Sequence, residues 1–241
     1  MVGRRDPPRG RRVVAHGTAL TQDSRRIGEI WADLDPRAGP TVGWPRPVES
    51  SRAVVLLGAF DPPTQAHVAL LEAASRSEGA PGALCMTKEL LARSGDELLS
   101  QEQRLHLLDV VAAARSFGLA LANRGTYLAV SGAIRATGIE ATFIVGSDKL
   151  SQLADASFYP DGERGVEATF AEVAFLVVPR TGVDVRLNDG HVLEPGEVFE
   201  DRALAAISST EVRRRVRDGV SVADLVPPEV VVDLEGYTAA K

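Results

Sequence analysis

A single cysteine, Cys85, stands in the 241-residue chain, which excludes an internal disulfide and any zinc site built on cysteine. Histidine is nearly as sparse. The four of them, His16, His67, His106 and His191, are scattered without the spacing of metal ligands. No apolar run approaches the ~20 residues that a membrane-spanning helix needs, and the amino terminus lacks a signal-peptide core. A cytoplasmic protein is therefore expected. Basic residues are in deficit, 27 Lys and Arg against 33 Asp and Glu, for a net charge of −6. That balance argues against nucleic acid as the main partner, although a nucleotide needs only a local cationic pocket. Also missing are a Walker-type phosphate loop, a Ser/His/Asp relay and a nucleophilic cysteine.

What remains is an ordinary globular composition, 44% hydrophobic and 25% charged, with enough chain for one generous domain. Residues 1–50 differ from the rest. Arg4-Arg5-Asp6-Pro7-Pro8-Arg9-Gly10-Arg11-Arg12 is basic and rich in helix breakers, so a solvated tail is expected. Asp23 to Leu34 suits a short helix with Ile27, Ile30 and Trp31 on one side. Pro36, Gly39, Pro40, Gly43, Pro45 and Pro47 then read as a linker. The main domain is expected over 51–241.

Three stretches carry the chemistry. In the first, Ala53-Val54-Val55-Leu56-Leu57 reads as a buried parallel strand. Gly58-Ala59-Phe60-Asp61-Pro62-Pro63-Thr64-Gln65-Ala66-His67 follows, and Val68 to Ala74 opens a helix. This is a strand-to-helix turn at the carboxyl edge of a sheet, where open α/β folds bind ligands. Gly58 admits a close approach of backbone or phosphate. Thr64 and His67 share one face of the first helical turn, beside unpaired N–H groups that attract phosphate. The stretch resembles the phosphate-binding signature of the nucleotidyltransferase superfamily, which ends in (His/Thr)-x-x-His. It is nearest in wording to the nicotinate/nicotinamide mononucleotide adenylyltransferases.

The second stretch is Phe143-Ile144-Val145-Gly146-Ser147-Asp148-Lys149-Leu150, another strand running into a turn. It is similar to the family's strand ending in Gly-x-Asp, which implies that Gly146 admits the nucleotide and Asp148 meets its sugar. The third is Ile207-Ser208-Ser209-Thr210-Glu211-Val212-Arg213. Ser208 and Glu211 form the pattern of a capping box, Val212 and Val216 point inward, and Gly219 suits the closing left-handed cap. Arg213 and Arg217 share another face, four residues apart. Ile-Ser-Ser-Thr-x-x-Arg matches the family's ATP motif, and Leu225-Val226-Pro227 resembles its closing helix.

Between these stretches, Gly82–Met86, Leu119–Ala122, Ala141–Val145 and Val173–Val178 read as further strands. Helices are expected from Ser100 and from Thr126. A short hairpin or an irregular connection, with Asn188-Asp189-Gly190 as its turn, should fill 183–202. The alternation implies a Rossmann-like doubly wound parallel α/β sheet of about five to six strands, with helices on both faces. The resemblance further implies substrate contacts from Lys88 after the second strand, Arg104 on the next helix, Thr126 and Tyr127 at a helix start, and Arg180 in Pro-Arg-x-Gly. Many family members stack a tryptophan on the nicotinamide ring. None lies in 154–171 of this chain, where Phe158 or Tyr159 is the available aromatic.

Together these features imply adenylyl transfer from ATP to a mononucleotide, with release of pyrophosphate and Mg²⁺ as the ATP counter-ion. His67, Thr64 and Arg213 would be the catalytic set. Gly58, Ala59, Phe60, Gly146, Asp148, Ile207, Ser208, Ser209 and Thr210 would hold the nucleotide. A CTP-dependent relative, a phosphopantetheine-type acceptor and a non-catalytic nucleotide module are the alternatives. No nucleic-acid or membrane partner is expected, and a homo-oligomer is compatible with all of these.

Overall fold

The structure, a computed structural model, describes residues 22–89, 96–146, 149, 153–159, 161–178, 191–192, 204 and 206–239. Among the described residues, seven strands form one sheet in the order β1-β4-β3-β2-β5-β6-β7. Its centre is five parallel strands: β2 (Arg52–Leu57), β3 (Gly82–Thr87), β4 (Gly118–Ala122), β5 (Glu140–Gly146) and β6 (Ala174–Val178). They are mostly apolar because both of their faces are covered. One face carries α1 (Gln22–Asp33), α2 (Gln65–Glu78), α3 (Gln101–Arg115), α6 (Ser209–Arg217) and α7 (Val231–Ala239), packed through Leu71, Leu108, Val212 and Leu234. On the other lie α4 (Tyr127–Arg135) and α5 (Glu163–Glu172), with Val130, Ile134 and Phe143 in that core.

Helix starts follow local chemistry. Ser100 and Gln103 form a reciprocal capping box on α3, and the Thr126 hydroxyl accepts the Ala129 N–H at the start of α4. At α6 only half of the expected box exists. Ser208 accepts the Glu211 N–H, but the Glu211 carboxylate turns outward to Arg214 and Arg215. Three bonds from two guanidinium groups displace one from a backbone N–H, and they lower the Glu211 pKa to about 2. Gly219, at φ +68°, closes α6 as anticipated.

The linker reading of 36–47 is corrected. Val42–Arg46 is β1, an edge strand antiparallel to β4 with Val42 opposite Ala122. Proline survives there because an edge strand can lack one ladder donor. Buried Asn123 accepts the Thr41 N–H and donates to the Asp35 and Gly39 carbonyls, fixing the preceding turn. Glycine at position 43 suits a close approach, since a Cβ there would press on the Ile30 Cγ2 of α1 and force that side chain to move. The helix expected at 23–34 is present, with Ile27 and Trp31 in the main core.

The tail at 1–21 and the 188–190 turn lie outside the described residues; just beyond that turn, His191–Val192 forms β7, parallel to β6. Among the described residues, no helix is long and apolar enough to cross a membrane. Burial pushes the Cys85 thiol up to about 12, so the native protein should resist iodoacetamide at pH 8 and react only on unfolding. Mass spectrometry before and after guanidinium addition checks this.

Candidate active site at the carboxyl edge of the sheet

The order of the parallel strands reverses between β2 and β5, so the loops after these two strands diverge and leave a crevice. Gly58 to Thr64 follows β2, and Gly146 ends β5 on the other side of that crevice. The first two motifs therefore flank one opening.

The β2–α2 loop is braced from three directions. Phe60 is buried with φ +47°, and its ring fills the space over Gly58, where a Cβ would lie 3.1 Å from it. Glycine at position 58 leaves this phenyl ring its place; Ala59 beside it is exposed. Asp61 is buried and accepts both the Leu98 and Leu99 N–H groups at 2.9 Å. The Gln65 N–H and side-chain amide donate to the Leu225 and Val226 carbonyls.

His67 and Thr64 form a closed pair. Thr64, fully buried, caps α2 by accepting the His67 N–H, and its own N–H donates to His67 Nδ1 at 3.0 Å. A backbone N–H can only donate, so Nδ1 accepts and the neutral ring carries its proton on Nε2. The Phe60 ring meets the imidazole edge-on at 5.2 Å and 71°. Lost hydration in this setting lowers the His67 pKa to about 4. The histidine is therefore a neutral Nε2–H donor at physiological pH, held in one orientation.

This shift has a consequence for stability. Unfolded chain protonates His67 near its ordinary 6.5, folded chain only near 4. Between these values the unfolded state binds more protons, so the contribution is complete above pH 6.5 and is lost as pH falls toward 4. Denaturant midpoints at pH 7.5 and pH 5 should differ less for His67→Gln than for the unaltered protein.

The third motif joins the first directly. At the start of α6, the Ser209 hydroxyl donates to the Pro62 carbonyl at 2.8 Å. Arg213, one turn in, donates to the Asp61 carbonyl at 3.0 Å and to the Thr210 hydroxyl at 3.1 Å. Its Nε is buried and has no hydrogen-bond partner among the described residues. Ile207 packs against the core and anchors the turn, Ser208 is the cap, and Thr210 is exposed. The helix mouth with its N–H groups, the arginine and the histidine-bearing loop thus belong to one rim.

Other expected contacts fall elsewhere. Lys88 does not reach into the crevice. Its ammonium caps the carboxyl end of α1, donating to the Trp31, Ala32 and Leu34 carbonyls. Arg104 is 1% exposed, donates twice to the Leu99 carbonyl, and lies 3.6 Å from Asp61 and 3.2 Å from Glu97. It is an internal brace for the Asp61 loop. The Thr126 hydroxyl is taken by its cap, and Tyr127 packs edge-on against Phe143 and Phe175 in the second core. Tyr159 donates to the Leu153 carbonyl, while Phe158 is half-buried. Asp148 and Arg180 lie outside the described residues. The role of Asp61 as keystone escaped sequence reasoning; its one local signal was an acidic residue inside an otherwise apolar, proline-locked turn.

The profile of the cytidylyltransferase-like family matches residues 55–215. Among solved structures, the chain is similar to Plasmodium falciparum nicotinic acid mononucleotide adenylyltransferase complexed with APC. That likeness has a TM-score of 0.57 at 16% identity and covers 77% of this chain and 94% of that one. A putative nicotinate-nucleotide adenylyltransferase from Vibrio parahaemolyticus gives a TM-score of 0.52 at 16% identity, covering 80% and 98%. At such identity these likenesses show a shared fold. No curated protein matches the sequence.

Proposed function

Because the chain belongs to the cytidylyltransferase-like family, we propose that it is an adenylyltransferase that moves AMP from ATP to nicotinic acid or nicotinamide mononucleotide. One observation carries the reading. Ser209 and Arg213 of the Ile-Ser-Ser-Thr-x-x-Arg motif are hydrogen-bonded to the carbonyls of Pro62 and Asp61 in the histidine loop. A polyphosphate seated on the α6 mouth then lies against His67.

The chemistry needs no covalent intermediate. A phosphate oxygen of the mononucleotide attacks the α-phosphorus of ATP, the bond from α-phosphorus to the bridging oxygen breaks, and pyrophosphate leaves with the electron pair. The protein aligns the reactants and stabilises the charge that builds on the phosphoryl oxygens. His67 Nε2–H donates to oxygens of the α- and β-phosphates, with Thr64 fixing the ring. The α6 N–H groups, Ser209, Thr210 and Arg213 hold the β- and γ-phosphates. Gly146 and Asp148 take the nucleoside. Arg180 is assigned to the acceptor in this scheme, while Lys88, Arg104, the Thr126 hydroxyl and Tyr127 are engaged within the fold and drop out of it.

Magnesium would come with ATP and supply charge neutralisation on the phosphates. Asp61 is engaged by two backbone N–H groups and lies 3.6 Å from Arg104, so this scheme gives it no metal role. The acceptor assignment rests on the Ile-Ser-Ser-Thr motif and the Leu-Val-Pro tail, in keeping with the two adenylyltransferase folds above. Pyrophosphate release should be seen with ATP plus nicotinic acid mononucleotide or its amide. Turnover only with CTP and a phosphorylated alcohol, or only with a phosphopantetheine acceptor, would replace the substrate. No release with any pair would remove the catalytic reading.

A further inference from the structure

Arg217 has no part in the reading above, although it lies on the same face of α6 as Arg213, one turn further on. Helical side chains lean toward the amino terminus, so its guanidinium is carried back toward Arg213. There it meets Asp96, donating to both the carboxylate and the carbonyl of that residue. The other oxygen of the Asp96 carboxylate lies 3.9 Å from Arg213 Nε, the buried nitrogen that has no hydrogen-bond partner among the described residues. One carboxylate thus sits between Arg213, which the reading above gives to the polyphosphate, and Arg217 at the end of α6. The Asp96 and Arg217 side chains are 51% and 48% exposed, and an ion pair so open to water does little for the fold.

We propose that Arg217 is a second arginine of the polyphosphate site and that Asp96 is its resting counter-ion, displaced when a terminal phosphate arrives. The inference rests on the adenylyltransferase reading and goes one step beyond it. Without nucleotide, Asp96 keeps the two guanidinium groups apart and oriented. With nucleotide, phosphate oxygens take the place of the carboxylate on Arg217, one charge-assisted bond exchanged for another, and form a new one at Arg213 Nε. The exchange favours a ligand with a terminal phosphate over one that ends at the α-phosphate, so the pair sets selectivity for triphosphate over monophosphate.

Calorimetric titration of ATP, AMP and inorganic tripolyphosphate, each with and without Mg²⁺, tests this on the full chain. Asp96→Asn should tighten ATP and tripolyphosphate about threefold to tenfold and leave AMP unchanged, since a competing charge is gone. Arg217→Ala should weaken the same two ligands by a similar factor, again sparing AMP, and Arg217→Lys should recover part of the loss. If Asp96→Asn leaves triphosphate affinity unaltered or weakens it while the unaltered protein binds ATP, the counter-ion role is overturned. Lower melting temperature without a change in ligand ranking would likewise leave only a structural ion pair. If the unaltered protein binds neither ATP nor tripolyphosphate, the nucleotidyltransferase reading itself fails, and this inference with it.

Discussion

Replacing His67 by alanine should lower turnover with ATP and a mononucleotide by about 10²-fold or more, the scale on which a lost oxyanion stabiliser is felt. The size follows from how little freedom the imidazole has. Thr64 gives its N–H to Nδ1 and receives the His67 N–H in return, and the Phe60 ring closes one side. The Nε2 proton is therefore aimed before substrate arrives, with no reorganisation left for the transition state. Because the pKa lies near 4, the donor is uncharged and its contribution should hold from pH 6 to pH 8. His67→Asn, which keeps a donor but loses the ring's reach, should fall between wild type and alanine. The loss should appear in kcat more than in KM, since the contact strengthens as charge moves to the leaving oxygens. Near-wild-type kcat in His67→Ala would take the histidine out of the chemistry.

Replacing Asp61 by alanine should cost about 3–5 kcal/mol of folding stability, the range for removing one member of a buried ion pair. Arg104, 1% exposed, would keep the Leu99 carbonyl and the half-exposed Glu97 but lose its buried partner. The Leu98 and Leu99 N–H groups would lose their acceptor as well. Asp61→Asn retains the shape and one acceptor oxygen and should cost less. Activity in Asp61→Ala should fall even below its unfolding midpoint, because the loop that presents His67 and meets Arg213 hangs on that carboxylate. Chemical denaturation of the two variants separates the effects; a loss under about 1 kcal/mol for the alanine variant would show that Arg104 finds its stability elsewhere.

The architecture was readable because its causes are local. Strands β2 to β6 are mostly apolar, α3 carries a complete capping box, and Gly219 marks the end of α6, all within a few residues of each other. The gathering of the motifs was readable at the level of topology, since loops after parallel strands must share the carboxyl edge. What could not be read was the use of individual side chains, which depends on partners distant in sequence. Arg213 reaches Asp61 across 152 residues, and Lys88 reaches Trp31 across 57. No spacing rule announces that a loop lysine will cap a helix from the upstream segment, or that Arg104 will be buried under the loop it supports. Strand β1 was hidden for a different reason. Its glycine and prolines signal a linker, yet an edge position tolerates Pro45, and the close approach to Ile30 suits Gly43. The Phe60 ring folding back over Gly58 was likewise hidden, because nothing in the string shows where that ring goes.

The account depends on a triphosphate lying between the histidine loop and the mouth of α6. Titrating protein labelled with ¹⁵N at histidine with MgATP, and following the imidazole nitrogens by NMR, tests that placement most directly. The prediction is that His67 Nε2 stays protonated and shifts in step with ATP saturation, while His106, paired with Asp233 elsewhere, does not move. ATP that saturates the protein and leaves the His67 resonances in place would contradict it.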